Sequence, residues 1–97
     1  MLSNFRSYQL ALSLYKNCEQ IKTKVYIKNQ LERASLSFVL NLAEGSAKTT
    51  AKERARFYSI SYASLRETQV LLEILEQTEL SKKANELGAM IYKLKIK

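Results

Sequence analysis

The chain has 97 residues, enough for one compact core over residues 1–97 and no second domain. Its 46% apolar and 26% charged residues exclude wholesale disorder, and the absence of proline beside only two glycines argues against the many tight turns of a sandwich or barrel. Sixteen Lys and Arg against nine Glu give a net charge of +7, which favours an anionic partner, a nucleic acid or an acidic protein surface, or else serves only to keep a soluble protein solvated.

Histidine and aspartate are both missing, so a His-based triad, a His metal site and an aspartate-led calcium loop are excluded. Cys18 is the single thiol, which leaves no internal disulfide and no thiolate cluster for zinc. No metal or cofactor is expected, and a reducing, cytoplasmic setting is. The longest charge-free run, residues 34–43, is half of what a membrane span requires.

Four helices are expected. The first covers about residues 5–21, with Ser3 or Asn4 as candidate caps. Tyr8, Ala11, Leu12, Tyr15 and Cys18 step by three and four along it, widened by Leu10 and Leu14. Cys18 continues the stripe and reads as a small core residue. Residues 22–28 hold the β-formers Val25, Tyr26 and Ile27 but no partner strand, so they form a tight connection or the bent start of the next helix.

The second helix is expected over about residues 29–44, stopped by Gly45. Leu31, Ala34, Phe38 and Leu42 make its main stripe, while Leu36, Val39, Leu40 and Ala43 spread apolar surface around the rest. A helix apolar nearly all round is covered on more than one side, which points to a subunit interface including Phe38 and Val39. Gln30 and Asn41 lie on this helix and need hydrogen-bond partners, with which they would fix register between helices or chains.

The third helix is expected over residues 51–77, opened by a Thr50–Glu53 capping box. Phe57, Ser61, Ser64, Thr68, Leu71, Leu72 and Leu75 cluster on one side, where the small serines admit a close neighbour. Tyr58 and Tyr62 sit on the flank. The fourth helix begins near Ser81, and Leu80, Ala84, Leu87, Ile91 and Leu94 form its seam. Lys93, Lys95 and Lys97 read as a solvated basic end that complements the helix dipole. Short connections between continuous stripes give an all-α, antiparallel up-down-up-down four-helix bundle.

Lys48, Lys52, Arg54 and Arg56 crowd the opening of the third helix against Glu53 alone, with Arg66 near the same face further on. Free N–H groups at a helix start add to that positive potential. This is the candidate phosphate contact, with Tyr58 either stacking on a base or finishing the core edge. Glu44 sits at the end of the second helix, where the dipole disfavours a carboxylate, so it requires a specific partner. Arg33, about 16 Å of helical rise away, is too distant to serve from the same helix, so the partner is expected from another helix, another chain or the free N–H groups opening the third helix. A lone carboxylate without a nucleophile, second acid or metal makes a poor enzyme, and no catalytic residue is assigned.

The segments Gln30-Leu31-Glu32-Arg33-Ala34-Ser35, Ser37, Asn41-Leu42-Ala43-Glu44-Gly45-Ser46, Phe57-Tyr58 and Ser64-Leu65-Arg66-Glu67 resemble the bacterial four-helix-bundle family of the 23S rRNA intervening sequence. The resemblance covers the second and third helices well and the rest of the chain loosely. It implies a bundle that assembles as a homo-oligomeric ring, a pentamer, without enzyme activity. It makes Arg33, Asn41, Glu44, Gly45, Ser64 and Glu67 structural or interface residues beside Phe38 and Val39. A related group, the accessory proteins of diversity-generating retroelements, is similar to basic pentameric barrels that bind nucleic acid and a reverse transcriptase. The chain departs from the pattern at Glu32, where a basic residue is common. It departs again at Ser46-Ala47-Lys48, at Ala63 in place of a glycine, and in the shortened, proline-free link between the first two helices. Two functions stay open: a non-catalytic basic oligomer that binds RNA or DNA, and a protein-binding scaffold that meets an acidic protein or an accessory partner.

Overall fold

A computed structural model of the chain describes residues 5–96, so the candidate caps Ser3 and Asn4 lie outside the described residues. Its elements are α1 (Arg6–Glu19), α2 (Val25–Ala47), α3 (Ala51–Ile74) and α4 (Thr78–Lys95). Each helix packs on its sequence neighbours, and α1 also meets α4, which closes a four-helix bundle. Contacts across the α2–α3 seam pair Arg33 with Glu67, Ser37 with Ser64, and Phe38 with Ser61. Residue numbers rise on one helix as they fall on the other, so α2 and α3 run antiparallel. The meeting of Tyr62 with Tyr92 and of Leu65 with Gly88 shows the same for α3 and α4.

The expected stripes form one core, except that on α3 it is Leu65 that is buried while Phe57, Leu71 and Leu75 are only partly so. Leu14, Leu31, Phe38, Leu42, Leu65, Leu72, Leu87 and Ile91 are fully buried, with Ala11, Ala34 and Ala84 between them. Cys18 lies in the same cluster, where burial pushes its thiol up to about 11 against the nearby Lys28 and Lys83 charges. It is a packing residue. No helix among the described residues is long and apolar enough to cross a membrane.

Four boundaries differ from the sequence reading. The helix α2 starts at Val25, so Val25 and Tyr26 are helical despite their β preference, and both are exposed. Lys28, one turn into α2, donates to the carbonyls of Cys18 (3.2 Å), Glu19 (2.8 Å) and Ile21 (2.7 Å). One ammonium thus closes the end of α1, where the dipole favours a cation.

At its other end α2 runs through Gly45 to Ala47, and Gly45 keeps a negative φ. It is not the helix stop. The helix α3 ends earlier than expected, at Ile74, because Glu76 takes the left-handed conformation at φ 57°. The Gln77 N–H bonds to the Leu72 carbonyl (2.9 Å) and the Glu76 N–H to that of Glu73 (3.0 Å), the Schellman pattern. Gln77 then takes the N-cap position of α4, without a side-chain capping bond, and the helix opens at Thr78 ahead of the expected Ser81.

The start of α3 is capped as expected on one side: Thr50 Oγ1 accepts from the Glu53 N–H at 3.2 Å. The Glu53 carboxylate takes the Thr50 hydroxyl at 3.4 Å.

Candidate nucleic-acid interface

The basic residues that open α3 divide by what already holds them. Arg54 donates to the carbonyls of Lys48 (3.3 Å) and Thr49 (3.1 Å), so its guanidinium serves the chain end of α2. Lys48 pairs with Glu44 at 3.3 Å, one turn back, and its ammonium also lies 5.1 Å from the Phe57 ring centre. Lys48 is the basic partner that Glu44 required, but it comes from the C-cap of the same helix and not from another helix, another chain or the N–H groups opening α3. The pair is half exposed, and such surface pairs are worth at most ~1 kcal/mol.

Lys52 and Arg56 are the cations left available. Both are exposed, and among the described residues neither makes an ion pair. Arg56 rests 5.4 Å from the other accessible partner of this corner, the Phe57 ring. Tyr58 cannot stack on a base: it is 5% exposed and inside the core, where burial raises its phenol against the opposing Arg54 charge. Of the two readings of Tyr58, only the core one survives.

Arg66 departs from the cluster. It donates to Gln69 Oε1 at 2.7 Å and lines a different surface, a groove between α3 and α4 with Tyr62, Gly88, Tyr92 and Lys93. Lys93, expected as part of a solvated basic end, stands on its wall. The sequence signal for this groove is the pair Gly88-Ala89, which leaves room beside two tyrosines.

The motif residues of α2 and α3 gather on one seam. Asn41 Nδ2 donates to the Ser37 carbonyl (2.9 Å) and to Ser37 Oγ (3.2 Å), and the Ser37 and Ser64 hydroxyls meet at 2.7 Å. Ser61 donates to the Phe38 carbonyl at 2.7 Å. Arg33 forms an ion pair with Glu67 and donates to Gln30 Oε1 at 2.9 Å. Small side chains bring these two backbones close, and the hydroxyls satisfy each other there. Among the described residues no buried side-chain polar atom lacks a partner.

Phe38 and Val39, read as interface residues, are 0% and 7% exposed within the single chain. They belong to its core and are not free to meet another copy. The exposed apolar side chains of α2 are Leu36 (43%) and Leu40 (57%), and on α3 they are Ile60, Val70 and Ile74. The antiparallel register sets Leu40 of α2 level with Ile60 of α3. Among the described residues no three His, Cys, Asp or Glu side chains gather in a group that could hold a metal.

No curated protein and no solved structure matches the chain. A family model described as 23S rRNA-intervening sequence protein matches residues 5–95, which include the whole of the α2–α3 seam. The chain belongs to the 23S rRNA-intervening sequence protein family.

Proposed function

We propose that the protein is a non-catalytic, basic homo-oligomer that binds RNA or DNA through its helix faces, in a cytoplasmic setting. The observation that carries this reading is the exposed Lys52 and Arg56 at the opening of α3, neither in an ion pair among the described residues, in a chain of net charge +7. Free N–H groups at that helix start add to the attraction for phosphate. The family description, tied to 23S rRNA, adds support.

Self-association rests on Leu36, Leu40, Ile60, Val70 and Ile74, an apolar strip that a second copy would cover. A ring, for which the resemblance implies five subunits, repeats the Lys52–Arg56 corner around the assembly. Weak phosphate contacts then add through multivalency.

The same strip favours the second reading, a scaffold that docks a protein partner such as a reverse transcriptase. The test is anisotropy of labelled RNA and DNA with the native protein and with the double variant Lys52→Glu, Arg56→Glu. Weaker binding by the variant supports the proposal. No binding by the native protein at low salt leaves the scaffold.

A further inference from the structure

The groove between α3 and α4 has a volume of about 410 Å³ and is lined by Tyr62, Arg66, Asn85, Gly88, Ala89, Tyr92 and Lys93. None of these residues is acidic. The space exists because two successive residues of α4, Gly88 and Ala89, carry almost no side chain opposite Tyr62. A Cβ at Gly88 would meet Leu65 at 3.6 Å and Tyr62 at 3.9 Å, ordinary contact distances, so the backbone does not demand glycine there. Its small size leaves the groove open.

Two aromatic rings and three cations converge on this surface. The Tyr62 and Tyr92 centroids are 5.9 Å apart and tilted by 57°, so they already touch and leave no slot between them. Tyr92 is 47% exposed and offers its ring to solvent. The Lys95 ammonium lies 5.2 Å from the Tyr92 centroid and 5.7 Å from that of Tyr62. Arg66 and Lys93 stand on the groove walls.

We infer that this groove is a binding site for single-stranded nucleic acid, in which a base stacks on Tyr92 and the flanking phosphates meet Lys93, Lys95 and Arg66. The inference deepens the proposed nucleic-acid function and rests on it, but it names a different surface from the Lys52–Arg56 corner. A planar ring with cations around it suits a base joined to phosphates, since every base has a π-face and stacking tolerates any sequence. The Lys95 ammonium lies over the Tyr92 ring. Its cation–π contacts are at 5.2 and 5.7 Å and weak on a half-buried surface, so a base displaces the ammonium, which turns to a phosphate. Bases of a duplex are stacked within the helix and cannot reach the ring, which makes the site selective for single strands.

The test measures the affinity of a short labelled oligouridine or oligothymidine strand, and of a duplex of the same length, for the full chain. The strand should bind more tightly than the duplex. Tyr92→Ala should weaken strand binding about tenfold, the order expected of one lost base–aromatic stack. Tyr92→Phe should preserve it, because the ring and not the hydroxyl is used. Ala89→Leu, at an exposed position on the groove wall, fills the groove and should also weaken strand binding. Lys93→Gln should lower the salt slope by about 0.7.

Strand binding that falls with Lys52→Glu, Arg56→Glu but is unchanged by both Tyr92→Ala and Ala89→Leu would overturn the groove while leaving the proposed function in place. Equal affinity for strand and duplex, or for poly-glutamate, would also overturn it. No nucleic-acid binding at all would remove both.

Discussion

Gly45 of α2 lies directly under the ring of Tyr58 of α3: a Cβ built on Gly45 would stand 2.7 Å from Tyr58 Cε1 and 3.2 Å from Phe57 Cβ. The glycine is helical, so its value is the missing side chain and not an unusual φ. In an uncrowded helix interior Gly→Ala stabilises by roughly 0.5–1 kcal/mol. Here the buried ring has to move, and Gly45→Ala should destabilise by about 1–3 kcal/mol in urea unfolding. The loss should shrink in a Tyr58→Ala background, as two residues sharing one contact are not additive. A stabilised Gly45→Ala protein would contradict the packing account.

The opposite substitution is expected to help at Glu76. Its left-handed φ of 57° suits glycine, and a Cβ there costs roughly 1 kcal/mol. Glu76→Gly should raise stability by a few tenths to about 1 kcal/mol by thermal or urea unfolding, because the Schellman bonds at the end of α3 are made by backbone alone.

Oligomer formation should respond to Leu36 and Leu40 separately from folding. Replacing both with glutamate should lower the sedimenting mass to that of the 11.2 kDa chain while the helical circular dichroism persists, since both are exposed in the single chain. Phe38→Lys should instead unfold the bundle, as it puts a charge at a fully buried position. A native protein that sediments as a monomer would remove the self-association proposal.

Cys18 supplies a pH test. Its folded thiol titrates at about 11, above the ordinary value of 9.0, because burial penalises the thiolate. The unfolded chain therefore loses this proton first. The Cys18 contribution to stability is complete below pH 9.0 and fades as pH rises through about 11. Cys18→Ala should reduce the stability loss across that window, and alkylation of the native thiol near neutral pH should be slow.

Periodicity was enough for the four helices, because each buried stripe recurs at steps of three and four and few turn residues interrupt it. The ends of α2 and α3 differ from expectation for separate reasons: Gly45 suggests a left-handed stop that it does not provide, and no glycine marks the left-handed residue that ends α3. Gly45 is glycine for the sake of Tyr58, and the true left-handed residue is Glu76, which no residue preference reveals. The apolar circumference of α2 was legible, but the pattern could not say which residues face the chain's own core, and Phe38 and Val39 turned inward while Leu36 and Leu40 stayed out. At the candidate site the cluster of charges was visible in the sequence. That Arg54 and Lys48 are occupied by carbonyls and by Glu44, and that Tyr62 meets Tyr92 across thirty positions, are tertiary facts.

The most direct test of the central claim is the salt dependence of RNA and DNA binding by the native protein, with Lys52→Glu, Arg56→Glu beside it. The account predicts binding at low salt that falls steeply as salt rises, since each neutralised phosphate releases counterion, with little sequence preference. The double variant should bind all sequences more weakly and show a flatter slope while remaining folded, because both side chains are exposed. Undetectable binding at low salt, or equal affinity and slope for the two proteins, would contradict it.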